Sequence, residues 1–358
     1  LHVAIVAGGT GGHLFPGIAV AREFQRGLKA RVTFLTTPKP VTAEILRRSG
    51  LTWQPVASRA LLGQGFFSRL RTYAGLPANI LAARRQLAAL APDVVLGMGG
   101  YAAGPAGVAA WSLGMPLAIH EQNAVPGFTN RWLARLARRV FLSFPDAVGH
   151  LPAAKCVWTG NPIREEFFAP PPPRPPRPFT VLIMGGSQGA RHLNFEVLAA
   201  LPLLAQDRQR LRFLHLTGEA DYEAVAQGYA QAGWAAEVAP FSPEVAALMG
   251  RAHLLVCRSG ASTLAELTAL GRAAILVPYP FAANNHQEAN ARYLEAAGAA
   301  EVVLNKDFTA ALFADKIRLF LKQPEALAAM EAASHSLAKP QAAREIVQGC
   351  LALLERPE

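Results

Sequence analysis

Two glycine loops are the first residues in the chain whose types and spacing could do chemistry. Gly8–His13 reads G-G-T-G-G-H and Gly185–Ala190 reads G-G-S-Q-G-A. Glycine lets a backbone turn through positive φ and come close to a ligand, and the N–H groups at a helix start favour an anion. One such loop can be merely a tight strand-to-helix turn. Two of them, each opening one half of the chain, point to shared anion recognition. Ser187 adds a hydroxyl donor to the second loop. His13 adds an imidazole that titrates in the range a general base needs, and its place at a helix start should lower its pKa and keep it neutral. A third loop, Gly97–Gly104, reads G-M-G-G-Y-A-A-G and contains G-x-G-x-x-A. With Glu121 about 20 residues further on it meets the crude dinucleotide fingerprint. It is not the first such turn of its half, and Leu35-Thr36-Thr37-Pro38 supplies no acid for a ribose. A nicotinamide-dependent oxidoreductase is therefore the rival from another class. No G-K-[ST] follows any loop, which excludes a P-loop NTPase.

These loops need elements to hold them. Short apolar runs fall at His2–Ala7, Arg31–Thr36, Asp93–Gly97, Pro116–His120 and Val140–Ser143, with Ala/Leu-rich stretches such as Gly17–Gly27 and Ile80–Leu90 between several of them. The second half repeats the pattern at Thr180–Met184, Leu211–Leu216, His253–Cys257 and Ala274–Val277. Alternation of this kind predicts βαβ units around a parallel sheet. The run A-P-P-P-P-R-P-P-R-P over Ala169–Pro178 can be neither helix nor interior strand and reads as a linker or a boundary loop. The fold class expected is α/β, two Rossmann-like domains in tandem, with ligands in a cleft where carboxyl ends of strands meet helix starts. Cys257–Glu266, C-R-S-G-A-S-T-L-A-E, reads as strand, turn and helix start, and Thr263 with Glu266 fits a capping box.

Composition narrows the class. The 358 residues suit two domains, and no apolar run approaches the roughly 18–20 residues needed to cross a bilayer. The strand-like start carries no basic leader, so no secretory signal is expected. The three cysteines, Cys156, Cys257 and Cys350, lie far apart, which argues against a disulfide framework or a zinc site and for a reducing compartment, the cytosol. Net charge is +10 and uneven: residues 1–160 hold 17 Lys/Arg against 5 Asp/Glu, and the remainder is close to neutral. A basic half suggests work beside something anionic: phospholipid, pyrophosphate or nucleic acid. The chain lacks an aromatic stacking platform or a known nucleic-acid module, so nucleic acid is not expected as a partner.

The motifs G-G-T-G-G-H-x-x-P-G from Gly8, G-M-G-G-Y at 97–101, H-E-Q-N at 120–123, G-N-P-I-R at 160–164, G-G-S-Q-G-A at 185–190 and C-R-S-G at 257–260 together make the chain resemble the bacterial peptidoglycan N-acetylglucosaminyltransferases, the lipid II synthases. The glycine loops alone would also fit other lipid glycosyltransferases; H-E-Q-N and G-M-G-G-Y separate them. The resemblance implies the GT-B architecture. Residues 1–160 would be the acceptor and membrane-facing domain, completed by a return helix within 341–358, and 161–340 the donor domain. It implies inverting transfer of N-acetylglucosamine from UDP-N-acetylglucosamine to the 4-hydroxyl of undecaprenyl-pyrophosphoryl muramoyl-pentapeptide, with no cofactor. No D-x-D occurs, so no metal is expected. Main-chain amides, helix dipoles and arginine would then neutralise the diphosphate.

The resemblance also assigns roles. Arg164 and Ser187 would contact the donor, with Gly189, Arg258 and the run Ala261, Ser262, Thr263, Leu264 and Ala265. Glu266 would hold the ribose, against the capping reading. The turn at Ser242 would meet uracil, and the family more often has an apolar residue there. Gln287, able to donate and accept, would read sugar hydroxyls. Thr10, Gly11, Gly12 and Asn123 would line the sugar end, with Gly99, Gly100, Tyr101 and His120 on the acceptor side. For the base, His13 comes first and Glu121 second.

Gln64–Leu90 carries Phe66, Leu70 and Tyr73 at i, i+4 and i+7, beside Phe67, Arg69, Arg71, Arg84 and Arg85. Such a stripe is ordinarily core, but aromatic and basic residues together suit an anionic membrane surface. A peripheral position on the cytoplasmic face of the cell membrane is expected, with other wall-synthesis and division proteins as partners. Within the same fold the alternatives are transfer to another lipid acceptor and a UDP-N-acetylglucosamine epimerase.

Overall fold

The structure is a computed structural model and describes residues 1–56, 66–169, 174, 176–186 and 188–355, without the side chains of 41 and 66–74. The chain divides into two compact units, Leu1–Arg164 with Lys339–Glu358, and Glu165–Ala338.

The first unit runs β1 (His2–Ala7), α1 (Gly11–Leu28), β2 (Arg31–Thr36), α2 (Pro40–Arg48), β3 (Thr52–Pro55) and α3 (Phe66–Leu90). It continues through β4 (Val94–Gly97), α4 (Ala103–Ser112), β5 (Leu117–Glu121), α5 (Phe128–Leu136), β6 (Arg139–Leu142) and β7 (Cys156–Trp158). Its seven strands are parallel in the order β3-β2-β1-β4-β5-β6-β7. Helices cover both faces, which is why the central strands read as unbroken apolar runs. Side chains alternate along a strand, so Val3, Ile5 and Ala7 of β1 pack with Leu14, Ile18 and Ala21 of α1, while Ala4 and Val6 pack with Ala103 and Ala106 of α4.

The second unit runs β8 (Phe179–Met184), α6 (Arg191–Ala200), β9 (Leu211–Leu216), α7 (Tyr222–Gln231), β10 (Ala236–Ala239), α8 (Val245–Arg251) and β11 (Leu254–Cys257). After these come α9 (Ala261–Ala269), β12 (Ala273–Leu276), α10 (His286–Ala296), β13 (Glu301–Val302), α11 (Ala310–Lys322) and α12 (Pro324–Ser336). Its strands are also parallel, in the order β10-β9-β8-β11-β12-β13. Both sheets thus have the Rossmann order 3-2-1-4-5-6, which reverses between the first and fourth strands and leaves a crevice at their carboxyl ends. The last helix, α13 (Ala342–Leu351), returns to the first unit, where Ile346, Val347 and Cys350 join the core beside α1.

Candidate active site

In the first unit the loops after β1 and β4 meet at the reversal point. Gly8 N–H donates to Gly99 C=O at 3.1 Å. Gly99 and Gly100 have φ of +85° and +78°, and a Cβ on Gly100 would lie 2.8 Å from the Gly8 Cα. No side chain fits that contact. A Cβ on Gly99 would instead lie 3.0 Å from the His13 ring, so the two glycine loops cradle the imidazole. His13 is in the first turn of α1. Thr10, at the N-cap, makes no side-chain cap; its hydroxyl lies 2.8 Å from His13 Nδ1 instead. The first N–H groups of α1 are therefore left without a side-chain partner at the cap, and Gly11 and Gly12 are exposed.

His120 and Glu121 correct the sequence reading. His120 is sealed from solvent, so it cannot touch an acceptor. Its Nε2 lies 3.2 Å from Gly160 C=O, and its Nδ1 accepts from Gln122 Nε2 at 3.1 Å. Burial pushes the imidazole down to about 4, the bond to Gly160 C=O pulls it upward, and the nearby His13 lowers it further by like-charge repulsion. It is a neutral strut. Glu121, the second choice as base, is 1% exposed. Its Oε1 accepts from Asn123 N–H at 2.9 Å and Asn123 Nδ2 at 3.3 Å, and its Oε2 from Asn130 Nδ2 at 2.8 Å and Gly127 N–H at 3.1 Å. Burial raises its pKa against these donors. Both oxygens are committed to shaping the loop that carries Asn123 and to holding the start of α5. Sequence reasoning missed Gln122 and Asn130. Gln122 also donates to Met98 C=O at 2.7 Å, which ties β5 to the Gly99 loop. Strand alternation was the available signal, since His120 and Gln122 share a side.

In the second unit Ser187 lies outside the described residues. Gly189 is a shaper of its loop: its N–H donates to Gly186 C=O at 3.0 Å, and its φ is +74° with a would-be Cβ 2.2 Å from Thr217 O. That N–H is taken, which corrects its assignment as a donor contact. Ala190 before α6 and Gly260 before α9 make no side-chain caps. The N–H groups of Ala261, Ser262 and Thr263 lie in the first turn of α9, where backbone donors favour an anion. Leu264 is different, buried and with its N–H closed onto Gly260 C=O at 3.0 Å. Ala265 lies deeper still in the helix, so neither is a phosphate donor. Because α9 starts at Ala261, Thr263 is inside it and not at the N-cap, and the capping-box reading of Glu266 fails. Glu266 is buried and close enough to Cys257 to raise the thiol pKa, after burial itself, to about 12. Ser242 Oγ accepts from Glu244 N–H at 3.1 Å and tightens its turn.

Arg258 proves to be a clamp. Its Nη1 donates to Val277 C=O at 3.0 Å, Pro278 C=O at 3.1 Å and Asn305 Oδ1 at 2.8 Å. It fixes the loop between β12 and α10 through its Nη1. Next on that loop, Tyr279 N–H donates to Gln287 Oε1 at 3.0 Å, so one acceptor lone pair of Gln287 is spent. Ser259 Oγ holds Gln287 C=O at 2.7 Å. Arg164 lies over the Phe15 ring at 5.2 Å, and Tyr101 is half-buried.

The side chains of Phe66, Phe67, Arg69, Leu70, Arg71 and Tyr73 lie outside the described residues. Arg84 and Arg85 are exposed on α3, and Arg84 donates to Ser112 Oγ at 3.3 Å. Further along α3, Ala83 and Leu87 enter the core, while Leu76, Pro77, Ile80 and Leu81 line an open groove of about 480 Å³ with Arg84 and Ser112. Among the described residues no helix is long and apolar enough to cross a membrane, and no three His, Cys, Asp or Glu side chains converge on a metal-sized site.

Residues 3–142 match the glycosyltransferase family 28 N-terminal domain, and residues 180–346 match its C-terminal domain. The UDP-N-acetylglucosamine–N-acetylmuramyl-(pentapeptide) pyrophosphoryl-undecaprenol N-acetylglucosamine transferase of Syntrophus aciditrophicus is 42% identical over 99% of both chains. The crystal structure of Acinetobacter baumannii MurG superposes with a TM-score of 0.79 at 33% identity, covering 98% of this chain and 99% of that one. A UDP-GlcNAc 2-epimerase from Neisseria meningitidis superposes at 0.70 with 14% identity, over 98% of this chain and all of that one, which is a likeness of fold alone.

Proposed function

We infer the activity from one premise: the chain belongs to glycosyltransferase family 28, whose two domains it carries in order. It is a UDP-N-acetylglucosamine-dependent transferase. It moves N-acetylglucosamine onto undecaprenyl-pyrophosphoryl muramyl-pentapeptide, lipid I, and so forms lipid II for peptidoglycan. The observation that carries this is full-length identity above 40% to transferases of that name. The test is a product assay with labelled UDP-N-acetylglucosamine, run with and without the lipid acceptor. Label should enter lipid only when acceptor is present; turnover of the sugar nucleotide without acceptor would mark an epimerase instead.

The division of labour is our proposal. The second unit takes the donor, with phosphates on the first-turn amides of α9 at Ala261–Thr263 and the head of α6, ribose on Glu266, uracil at the Ser242 turn and sugar hydroxyls on Gln287. Ser187 adds a hydroxyl donor to the diphosphate, and the Arg164 guanidinium offsets its charge. The first unit takes the acceptor at Gly99, Gly100 and Tyr101, with Gly11, Gly12 and Asn123 toward the sugar. His13 is the base. With Nδ1–H donating to Thr10 Oγ1, Nε2 carries the lone pair that takes the proton. The acceptor 4-hydroxyl attacks the anomeric carbon as its proton passes to Nε2. The bond to the β-phosphate oxygen breaks with its electron pair, and UDP leaves. Attack from the face opposite the leaving group inverts the anomeric centre.

We place the enzyme peripherally on the cytoplasmic face of the membrane, where its lipid substrate would be. Support comes from the outward stripe of α3: a surface helix should be polar there, yet Leu76, Pro77, Ile80 and Leu81 line the groove, with Trp111 exposed near Ser112 at the end of α4. Arg84 and Arg85 suit an anionic lipid surface. Sedimentation with anionic vesicles should weaken as salt rises. Equal, salt-indifferent binding to neutral vesicles would remove the electrostatic part. Association with other wall-synthesis and division proteins is part of the same proposal.

A further inference from the structure

We propose that Phe281, braced by Tyr279, is the stacking surface for the pyranose ring of the donor sugar. Phe281 is 81% exposed, more than any other large apolar side chain among the described residues, and Tyr279 is 43% exposed. Both stand on the loop between β12 and α10, at the carboxyl end of the second sheet, the edge where parallel α/β sheets hold ligands. Isolated exposed apolar residues are common, but this pair is organised. The two rings meet edge to face, with centroids 5.7 Å apart and planes at 72°, so the Phe281 ring is held from one side.

The base of the loop is held from below. Arg258 grips the carbonyls of Val277 and Pro278 and places its guanidinium 5.7 Å from the Tyr279 ring centroid. Tyr279 N–H in turn fixes Gln287 Oε1, which turns the remaining hydrogen-bonding capacity of that amide, chiefly its NH2 donors, away from the contact. An aromatic face therefore stands beside an oriented amide. A hexopyranose with equatorial hydroxyls has the matching chemistry, since its axial C–H groups form an apolar face and its hydroxyl oxygens lie at the rim to accept from an amide. Apolar C–H groups on an aromatic ring give area and orientation, and the amide gives register. Arg258 is then a positioning residue, acting on the sugar through the loop.

This rests on the reading of Gln287 as the sugar-reading residue of a UDP-sugar transferase. The test compares steady-state kinetics of wild type, Phe281→Ala, Phe281→Leu and Phe281→Trp with competitive inhibition by UDP. Loss of the ring should raise KM for UDP-N-acetylglucosamine about tenfold, the scale of a lost apolar contact in a binding pocket. The inhibition constant for UDP, which has no sugar to stack, should stay within about twofold, and the tryptophan variant should restore KM. The leucine variant keeps bulk without a ring and should behave as alanine does. An unchanged KM, an equal rise in the UDP constant, or a rise in acceptor KM alone would each overturn the proposal. A wild-type enzyme that does not turn over UDP-N-acetylglucosamine would sink the activity reading instead.

Discussion

The two sheets share one strand order, yet the loops at their reversal points are built for different work. In the first unit the loops after β1 and β4 press glycine against glycine and close around an imidazole. In the second the loop after β8 folds back on Thr217 and Gly218 from the end of β9, while the loop after β11 runs into a helix with no side-chain cap. One arrangement packs an imidazole between glycine loops; the other puts main-chain donors in the first turn of a helix that has no side-chain cap. The glutamates differ too. Glu121 accepts four hydrogen bonds from its own loop and the helix that follows, whereas Glu266 lies in the second turn of α9. A shared topology fixes where a ligand can sit, and local capping decides which chemistry is left to meet it.

The sharpest way to break this contrast is His13→Ala. Turnover should fall by roughly 10²–10⁴-fold, the range for losing a general base, while UDP competition is unchanged. A parallel loss of UDP affinity would merge the two roles. Next comes Gly260→Asp. Gly260 has an extended backbone, and a Cβ there meets nothing within 4 Å, so the carboxylate can cap the amides and place negative charge where phosphate belongs. UDP affinity should drop roughly ten- to hundredfold, as like-charge juxtaposition demands, while the melting temperature holds or rises. Unchanged affinity would remove α9 from the phosphate site.

A smaller effect separates scaffold from site by pH. Burial pushes His120 and His215 down to about 4 and about 3, so the folded protein keeps them neutral where the unfolded chain takes protons. Stability from this source is complete above about pH 6.5, and it falls as pH drops toward 4 and below. Thermal melts should show that fall, and His215→Gln should flatten part of it without altering the pH profile of turnover. The smallest effect is the control. Thr309 caps α11 by accepting from Leu312 N–H at 3.3 Å, so Thr309→Ala should cost about 1 kcal/mol and leave UDP binding untouched.

What was legible in the sequence follows the same physics. Every central strand stood out as an apolar run because both of its faces are covered. The strands that escaped are β3, β7, β10 and β13, the edges of the two sheets. Thr52–Pro55 is half exposed and ends in a proline that only an edge tolerates, and Glu301–Val302 is two residues long. At the candidate site, the glycine loops were readable because a tight strand-to-helix turn is local in sequence. The fate of Glu121 was not, because its four donors are gathered only once the loop after β5 turns back and α5 begins beside it. The capping box failed for a related reason: spacing offers Thr263 and Glu266 as partners, but only the true helix start says which residue is the cap.

The return of α13 bears on how the molecule is made. Ile346, Val347 and Cys350 fill space beside α1 that nothing earlier in the chain supplies. A chain emerging from the ribosome therefore has all of its second unit in hand before its first can be completed. The earlier-made unit must wait with a flank of α1 uncovered. Damage to α13 would thus be felt in the unit that was synthesised first.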